Sequence, residues 1–366
     1  MQIRPETVLQ FGAGNFLRAF VDVFIHEANT EGQNVGRVVV VQSTNSNRAT
    51  LLNAQNGCYH VITRGLSNGQ KIDSEQRIES ISRALIASTE WDAVLNISRS
   101  PDLRFITSNV TEAGLTLEPN DSPDLPTSFP GKLEEVLYAR YTANLPGTII
   151  APCELVDRNA DCLKNLVLKQ AHLWNRDPAF TKYLETKNTW CNTLVDRIVS
   201  GRPESHPLLD EDALLTVAEP FALWVIENTD LFQHPAIQSV PNVDPFSIRK
   251  VRVLNGAHTA LVSKAIPLGI ETVREAVEHA TIGPWLRNLI FDEIVPVVST
   301  QVDGVETFAE QVLERFANPF LNHYLKDIAL HHDTKVQVRL ISTYNEYIQK
   351  FGQKPPLLHG ILTDYL

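Results

Sequence analysis

The sequence has few cysteines, few cations and no long apolar run, and each shortage excludes something. Four cysteines in 366 residues, Cys58, Cys153, Cys162 and Cys191, form no CxxC pair and no regular framework. That excludes a disulfide scaffold and leaves ordinary thiols in a reducing compartment. Lysine and arginine total 32 against 43 acids, a net charge of −11. Such a surface excludes a nucleic-acid groove or an anionic membrane as partner, so any anionic ligand must meet a local concentration of positive charge. No apolar run approaches the roughly 18 residues of a membrane span. The first residues, MQIRPETVLQFGAGN, have no charged-then-apolar leader, so a soluble, cytoplasmic protein is expected. Repeats and low-complexity blocks are also missing.

What remains is an ordinary globular composition, 43% hydrophobic and 20% charged, on a chain long enough for two domains. The stretch 233–250, QHPAIQSVPNVDPFSIRK, carries Pro235, Pro241 and Pro245. Proline breaks both helix and sheet, so this stretch is read as a linker. It divides residues 1–245 from residues 246–366.

The first part opens with a short apolar run, Val8 to Phe11, then Gly12-Ala13-Gly14. Phe16, Ala19, Phe20, Val23, Phe24 and Ala28 then recur at helical spacing, and Val38 to Val41 is a second buried strand. Strand, glycine turn, helix and strand form a βαβ unit of the dinucleotide-binding kind. In such a unit the glycines let the backbone approach a pyrophosphate at a helix N-terminus. A full GxGxxG would need glycine at 17, where this chain has Leu17. The expected cofactor contacts are Phe11, Gly12, Gly14, Asn15, Phe16 and Arg18, the last offered to a phosphate. Gln42 stands at the end of the second strand, where an acid would mark NAD, and is expected to meet the ribose hydroxyls. An amide does not repel a 2′-phosphate and Arg48 is near, so NADP remains an alternative to NAD.

Further strands are read at 104–110 and 147–155, with a helix over Lys132 to Thr142 between them. Alternation of strand and helix predicts an α/β domain with a mainly parallel sheet. Ligands in such sheets lie beyond the carboxyl ends of strands, which brings Asn109 and Thr111 to the cofactor. Helix capping is the competing role for both.

Read together, FGAGNFLRAF (11–20), NVTEAG (109–114), CNTLVDRIVSG (191–201), KVRVLNGAHTALV (250–262) and RFANPF (315–320) resemble the polyol-specific long-chain dehydrogenase family. The mannitol dehydrogenases are its best-known members, and the wording is most similar to its hexuronate reductase branch. The resemblance covers essentially the whole chain. It implies a Rossmann-type domain followed by a helical C-terminal domain that binds substrate. It also implies use of NAD(H) without a metal, and a catalytic pattern of lysine, four residues, asparagine, two residues, histidine. That pattern falls on Lys250, Asn255 and His258. Three departures stand out. Mannitol-type members read CDN where this chain has Cys153-Glu154-Leu155, Trp190 stands where phenylalanine is usual, and the chain is shorter than the hexuronate reductases. Oligomeric state and the far wall of the site are therefore left open.

The chemistry fits these residue types. Oxidising a secondary alcohol needs a base for the hydroxyl proton and a donor for the developing alkoxide. A lysine base must have its pKa lowered from about 10.4 toward 7–8. Asn255 and His258, three apart, share a face of a helix starting near 254. Gly256 weakens that helix, by about 1 kcal/mol relative to alanine, and is explained if a ligand passes close to the backbone. Asn192 and Asp196 lie in NTLVDRIV, where they either organise the domain or bind sugar hydroxyls. A sugar-acid substrate brings a carboxylate, for which Lys335 and Arg339, four apart, are the candidate cations. Adjacent His331 and His332 seldom point to one centre, and no metal is expected. A small-molecule sugar acid is thus the expected partner, with no nucleic acid and no membrane. A mannitol- or fructose-type dehydrogenase, or a non-catalytic NAD-binding sensor, are the alternatives.

Overall fold

The computed structural model describes residues 4–366, the Glu112 side chain excepted. Six strands, β1 (Glu6–Phe11), β2 (Arg37–Gln42), β3 (Ile81–Ile86), β4 (Phe105–Ser108), β5 (Ile149–Pro152) and β6 (Thr189–Trp190), make one sheet in the order β3-β2-β1-β4-β5-β6. Every neighbouring pair is parallel. Successive residues of these strands enter different cores. Val8, Val38, Val40 and Phe105 belong to one cluster, and Leu9, Val39, Val41 and Ile106 to another. Burial on both faces is why the strands read as unbroken valine and isoleucine runs rather than alternating ones. The chain runs outward from β1 to β3 on one side and from β4 to β6 on the other. Strand order therefore reverses between β1 and β4, which is where such sheets bind ligands.

Between β2 and β3 the chain inserts a hairpin, Tyr59–Ser67 and Gln70–Ile78. Its two-residue turn, Asn68-Gly69, has φ of 52° and 73°, the left-handed pair that a right-twisted hairpin favours. With Val199–Gly201 and Thr216–Ala218 it builds a four-stranded sheet.

The expected linker is not one. Ile237–Val240 is a strand paired in parallel with Leu223–Glu227, and a helix starts at Asp244. Pro241 follows the strand directly and Pro245 lies in the first turn of the helix, where a missing N–H costs nothing. The prolines punctuate structure here instead of replacing it.

By its internal packing the chain divides in two. One unit holds residues up to Thr63, Ser74–Ala218 and Ala222–Val243; the other holds Arg64–Asp73, Glu219–Phe221 and Asp244–Leu366. The second is helical and has its own core, from Val253, Leu254 and Leu261 to Phe308, Leu340 and Leu358. Its first helix runs unbroken from Asp244 to Ala265, but Lys250–Asn255 within it is wound as a π-helix. Two further π-segments, Leu289–Ile294 and Gln337–Ile341, pack against this one.

Candidate active site

The glycine turn leaves β1 at the switch point. Gly12 has φ +131°, and a Cβ there would stand 3.1 Å from Leu17 Cδ1 and 3.5 Å from the Asn109 carbonyl. The position needs glycine on both counts. Leu17, the break in the GxGxxG pattern, is buried beneath this turn. Gly14 is different. Its φ of −70° suits any residue, and a Cβ would meet nothing within 4 Å. No protein atom requires glycine at 14, and the open space beside its backbone fits a ligand lying close against the turn.

Several expected cofactor contacts serve the protein instead. Arg18 is buried: it donates to the Leu214 carbonyl, to Asn15 Oδ1 at 2.6 Å and to the Ala13 carbonyl at 3.4 Å, and its guanidinium lies over the Tyr59 ring. It braces the turn from behind and is not turned out to a phosphate. Gln42 is also buried. Its Nε2 donates to the Thr44 and Ser46 carbonyls at 2.9 and 2.6 Å, and its Oε1 accepts from Ala49 N at 2.7 Å. Both ends of the amide hold the loop after β2, and both of its N–H donors are taken. The Phe11 ring packs against Phe129 in the core, and Phe16 stacks on Phe20. These two can meet a ligand by backbone or ring edge only.

At the ends of β4 and β5, Asn109 Nδ2 donates to the Cys153 carbonyl at 2.7 Å and Asn109 N to the Phe11 carbonyl at 3.1 Å. Asn109 thus joins three strand ends, while Thr111 is exposed. Glu154, which the motif reading passed over, is buried. Its Oε1 accepts from Val110 N at 2.9 Å, its Oε2 has no partner, and burial raises its pKa. Leu155, where mannitol-type members have asparagine, is 69% exposed, so a large apolar side chain faces outward at this end of the sheet.

Asn192 does not offer itself to a sugar. Its Oδ1 accepts from Ala160 N and Asp161 N, both at 3.1 Å, and its Nδ2 donates to Asp161 Oδ2 and Glu227 Oε2. It caps the helix Asn159–Leu173, taking the backbone donors that a helix start leaves open. Asp196 is buried at the end of the strand Thr193–Asp196, and Arg197 donates to the Ala19 carbonyl at 2.7 Å.

In the helical unit the π-segment decides the geometry. In an α-helix, residues five apart point about 140° away from each other. A π-helix closes its hydrogen bonds from i to i+5 and is wound wider than an α-helix, which brings Lys250 and Asn255 onto one side. The α-helix resuming at Gly256 then sets His258 three residues on, on the same side. Asn255 and His258 are the pair expected on one face; the π-turn, which composition does not announce, adds Lys250 to their side. At Gly256 the atoms closest to a Cβ would be the Arg339 carbonyl and Leu340 Cδ2, both at 3.5 Å, which is ordinary van der Waals contact. The packing of the third π-segment therefore does not itself require glycine there.

His258 is buried and held below its ordinary pKa by burial first, then by His323, Arg315 and Arg339. It is neutral at physiological pH. Its ring bonds to the Leu254 carbonyl, and Nε2 is buried with no hydrogen-bond partner among the described residues. With Nδ1 carrying the proton to Leu254, Nε2 presents a bare lone pair. The Asn255 carboxamide is half-buried and takes no partner among the described residues. Arg339 gives one N–H to Thr259 Oγ1 at 3.2 Å, and Lys335 Nζ is committed to the Ile328 carbonyl at 2.7 Å. Of the two candidate cations, Arg339 is the one beside His258. Sequence reasoning also missed Arg315, whose guanidinium makes a buried two-bond pair with Glu219 at 2.8 and 3.0 Å. Its only signal was its place at the head of RFANPF.

A doubly wound sheet with a glycine turn at its switch point, in one chain with a helical unit bearing lysine, asparagine and histidine on one stripe, defines a two-domain dehydrogenase architecture. Residues 6–239 match the mannitol dehydrogenase Rossmann domain and residues 242–363 the mannitol dehydrogenase C-terminal domain. The altronate oxidoreductase of Bacillus subtilis (strain 168) is 40% identical over 376 residues, covering 97% of this chain and 78% of its own. That of Klebsiella pneumoniae (strain 342) is 39% identical over 375 residues, with the same coverage. Among solved structures, a substrate-free D-sorbitol dehydrogenase superposes with a TM-score of 0.84 at 24% identity, over 95% of this chain and 77% of its own. A ternary complex of Pseudomonas fluorescens mannitol 2-dehydrogenase with NAD and D-mannitol does so at 0.77 and 21%, over 99% and 78%. The chain belongs to the mannitol dehydrogenase family, whose members are oxidoreductases acting on CH–OH groups. No helix among the described residues is long and apolar enough to cross a membrane.

Proposed function

We propose that the protein is an NAD(H)-dependent reductase of a hexuronate keto acid, interconverting tagaturonate and altronate without a metal. The reading is carried by the stripe of Lys250, Asn255 and His258 that the π-turn creates, and it is supported by relatives named altronate oxidoreductase. Bound NADH supplies the hydride to the carbonyl carbon. Lys250 gives a proton to the carbonyl oxygen in reduction and takes it back in oxidation. The Asn255 carboxamide donates to that oxygen as charge grows on it. His258, a neutral acceptor, takes a hydrogen bond from a neighbouring hydroxyl. Arg339 meets the carboxylate, a charge that fructose lacks. Gly12, Gly14 and Asn15 line the turn for the pyrophosphate, with the Phe11 and Asn109 backbones beside it, and the space at Gly14 fits that ligand.

The experiment is a spectrophotometric screen of NADH oxidation with tagaturonate, fructuronate, fructose and fructose 6-phosphate, on wild type and on Lys250→Ala. Turnover of tagaturonate is expected to exceed that of the uncharged ketose. The variant is expected to lose the 10²–10⁴-fold typical of a missing acid–base group while still binding NADH. Comparable turnover of fructose removes the carboxylate argument, and an active Lys250→Ala enzyme removes the mechanism.

A further inference from the structure

Beside His258 stands a second imidazole to which neither the fold nor the reaction has so far given a task. The His323 ring meets the His258 ring edge to face, centroids 4.8 Å apart and planes at 68°. Phe316 also lies against the His258 ring, its centroid at 4.2 Å. The backbone at 323 is pinned: its carbonyl accepts from Val273 N at 2.9 Å, and Tyr324 forms a bridge with Thr272. Asn318 fixes the start of the same loop by donating to the Arg64 carbonyl and accepting from Phe320 N. The loop thus presents the His323 ring to His258 on a rigid support. No described residue takes or gives a hydrogen bond to that ring, although it is largely buried.

Burial first, and Arg315 with it, hold the His323 pKa below its ordinary value while Asp327 pulls the other way. A neutral imidazole carries one donor and one acceptor. His258 has already committed its donor to Leu254. A hydroxyl that gives its hydrogen to His258 Nε2 therefore needs its oxygen satisfied by another group, and His323 is the adjoining group with an N–H to give.

Resting on the reductase reading above, we propose that His323 is a specificity-determining residue. With His258 it clasps one hydroxyl of the polyhydroxy substrate, His258 accepting the hydroxyl hydrogen and His323 donating to its oxygen. Two neutral rings suit a hydroxyl and not a carboxylate, which leaves the carboxylate to Arg339. A substrate lacking that hydroxyl leaves the buried Nε2 unpaired, and sites of this kind reject such analogues strongly.

The test is His323→Phe, which keeps an aromatic edge against His258 and removes both nitrogens, alongside His323→Asn, which returns an N–H donor. Both are assayed with whichever keto sugar of the panel wild type turns over best. Loss of one such hydrogen bond predicts about a tenfold fall in kcat/KM for His323→Phe, mostly as a rise in KM. NADH affinity and melting temperature should not move, and His323→Asn should recover part of the loss. In a His258→Gln background His323→Phe should cost little more, because the two rings read one group. Wild-type kcat/KM in His323→Phe, or a full additive loss in the double variant, overturns the proposal. If Lys250→Ala is inactive and His323→Phe is normal, only the paired imidazoles fail. If Lys250→Ala is active, the mechanism itself has failed, whatever His323 does.

Discussion

Gln10 Nε2 donates to Asp22 Oδ2 across 3.2 Å, and each of these two side chains keeps one buried oxygen without a partner, Gln10 Oε1 and Asp22 Oδ1. A proton on Asp22 removes the charge from this buried carboxyl and gives it a hydrogen to donate, while it still accepts from the amide nitrogen. Burial acts in the same direction, pushing Asp22 up to about 7 against the smaller opposing pulls of Gln10, Arg18 and Tyr59. Gln10 Nε2 also reaches the Gly12 carbonyl at 3.2 Å, so the pair lies directly beneath the glycine turn.

The pair makes stability depend on pH in a definite sense. Between the ordinary 3.8 of an aspartate and about 7, the folded chain holds a proton that the unfolded chain has released. Stability is therefore full below that window and falls as pH rises through it, by at most about 4 kcal/mol. Asp22→Asn keeps the shape and removes the titrating group. Urea unfolding at pH 5 and pH 8 should show wild type losing stability between the two and the variant losing clearly less. An equal loss in both would mean that Asp22 is ionised in the fold.

Gly12 and Gly14 separate backbone need from ligand need. Gly12→Ala should destabilise the fold, because φ +131° and the 3.1 Å approach to Leu17 both forbid a Cβ. Gly14→Val should melt like wild type, having ordinary φ and open space around the new side chain, yet lose NADH affinity by 100-fold or more, on the order of the cost of displacing a backbone-bound anion. NADH fluorescence titration with a thermal melt checks both halves. Unchanged NADH affinity in Gly14→Val would move the cofactor elsewhere.

Much of this was legible in the sequence, and the exceptions share a cause. The strands β1 and β2 and the glycine turn could be read because buried parallel strands and a βαβ turn leave local signatures. The hairpin at 59–78 has a local signal as well, Asn68-Gly69 between strand-like runs. Arg18 and Gln42 read as ligand contacts, and Asn192 as either a sugar contact or part of the scaffold, because a polar residue in a turn or at a strand end looks the same whether it faces outward or back into its own loop. Only the position of its acceptors decides, and for Arg18 one of these is Leu214, 196 residues away. The π-turn has no local signature of its own: residues 250–255 pack against two π-segments that lie far along the chain. His323 could be found only once the fold set it against His258.

Arg339 carries the remaining prediction, which concerns substrate charge. Its guanidinium gives one N–H to Thr259 Oγ1 at 3.2 Å, next in sequence to His258, and it is close enough to hold the His258 pKa down. Burial lowers its own pKa, but an arginine stays protonated through any assay range. A half-buried cation with donors to spare, beside a neutral acceptor, is a place for a carboxylate. A charge-assisted hydrogen bond contributes about 1.5–3 kcal/mol, so Arg339→Ala should lower kcat/KM for tagaturonate roughly 10- to 150-fold. Any residual turnover of fructose should change by less than about threefold, within the few tenths of a kcal/mol expected of a side chain that contributes no contact. Arg339→Lys keeps the charge but not the planar fork, and should fall between the two. Lys335→Ala, whose amine is committed to the Ile328 carbonyl, should affect stability more than substrate choice. Equal losses on the charged and uncharged sugars in Arg339→Ala would assign that residue to the scaffold of the third π-segment and leave the carboxylate without its partner.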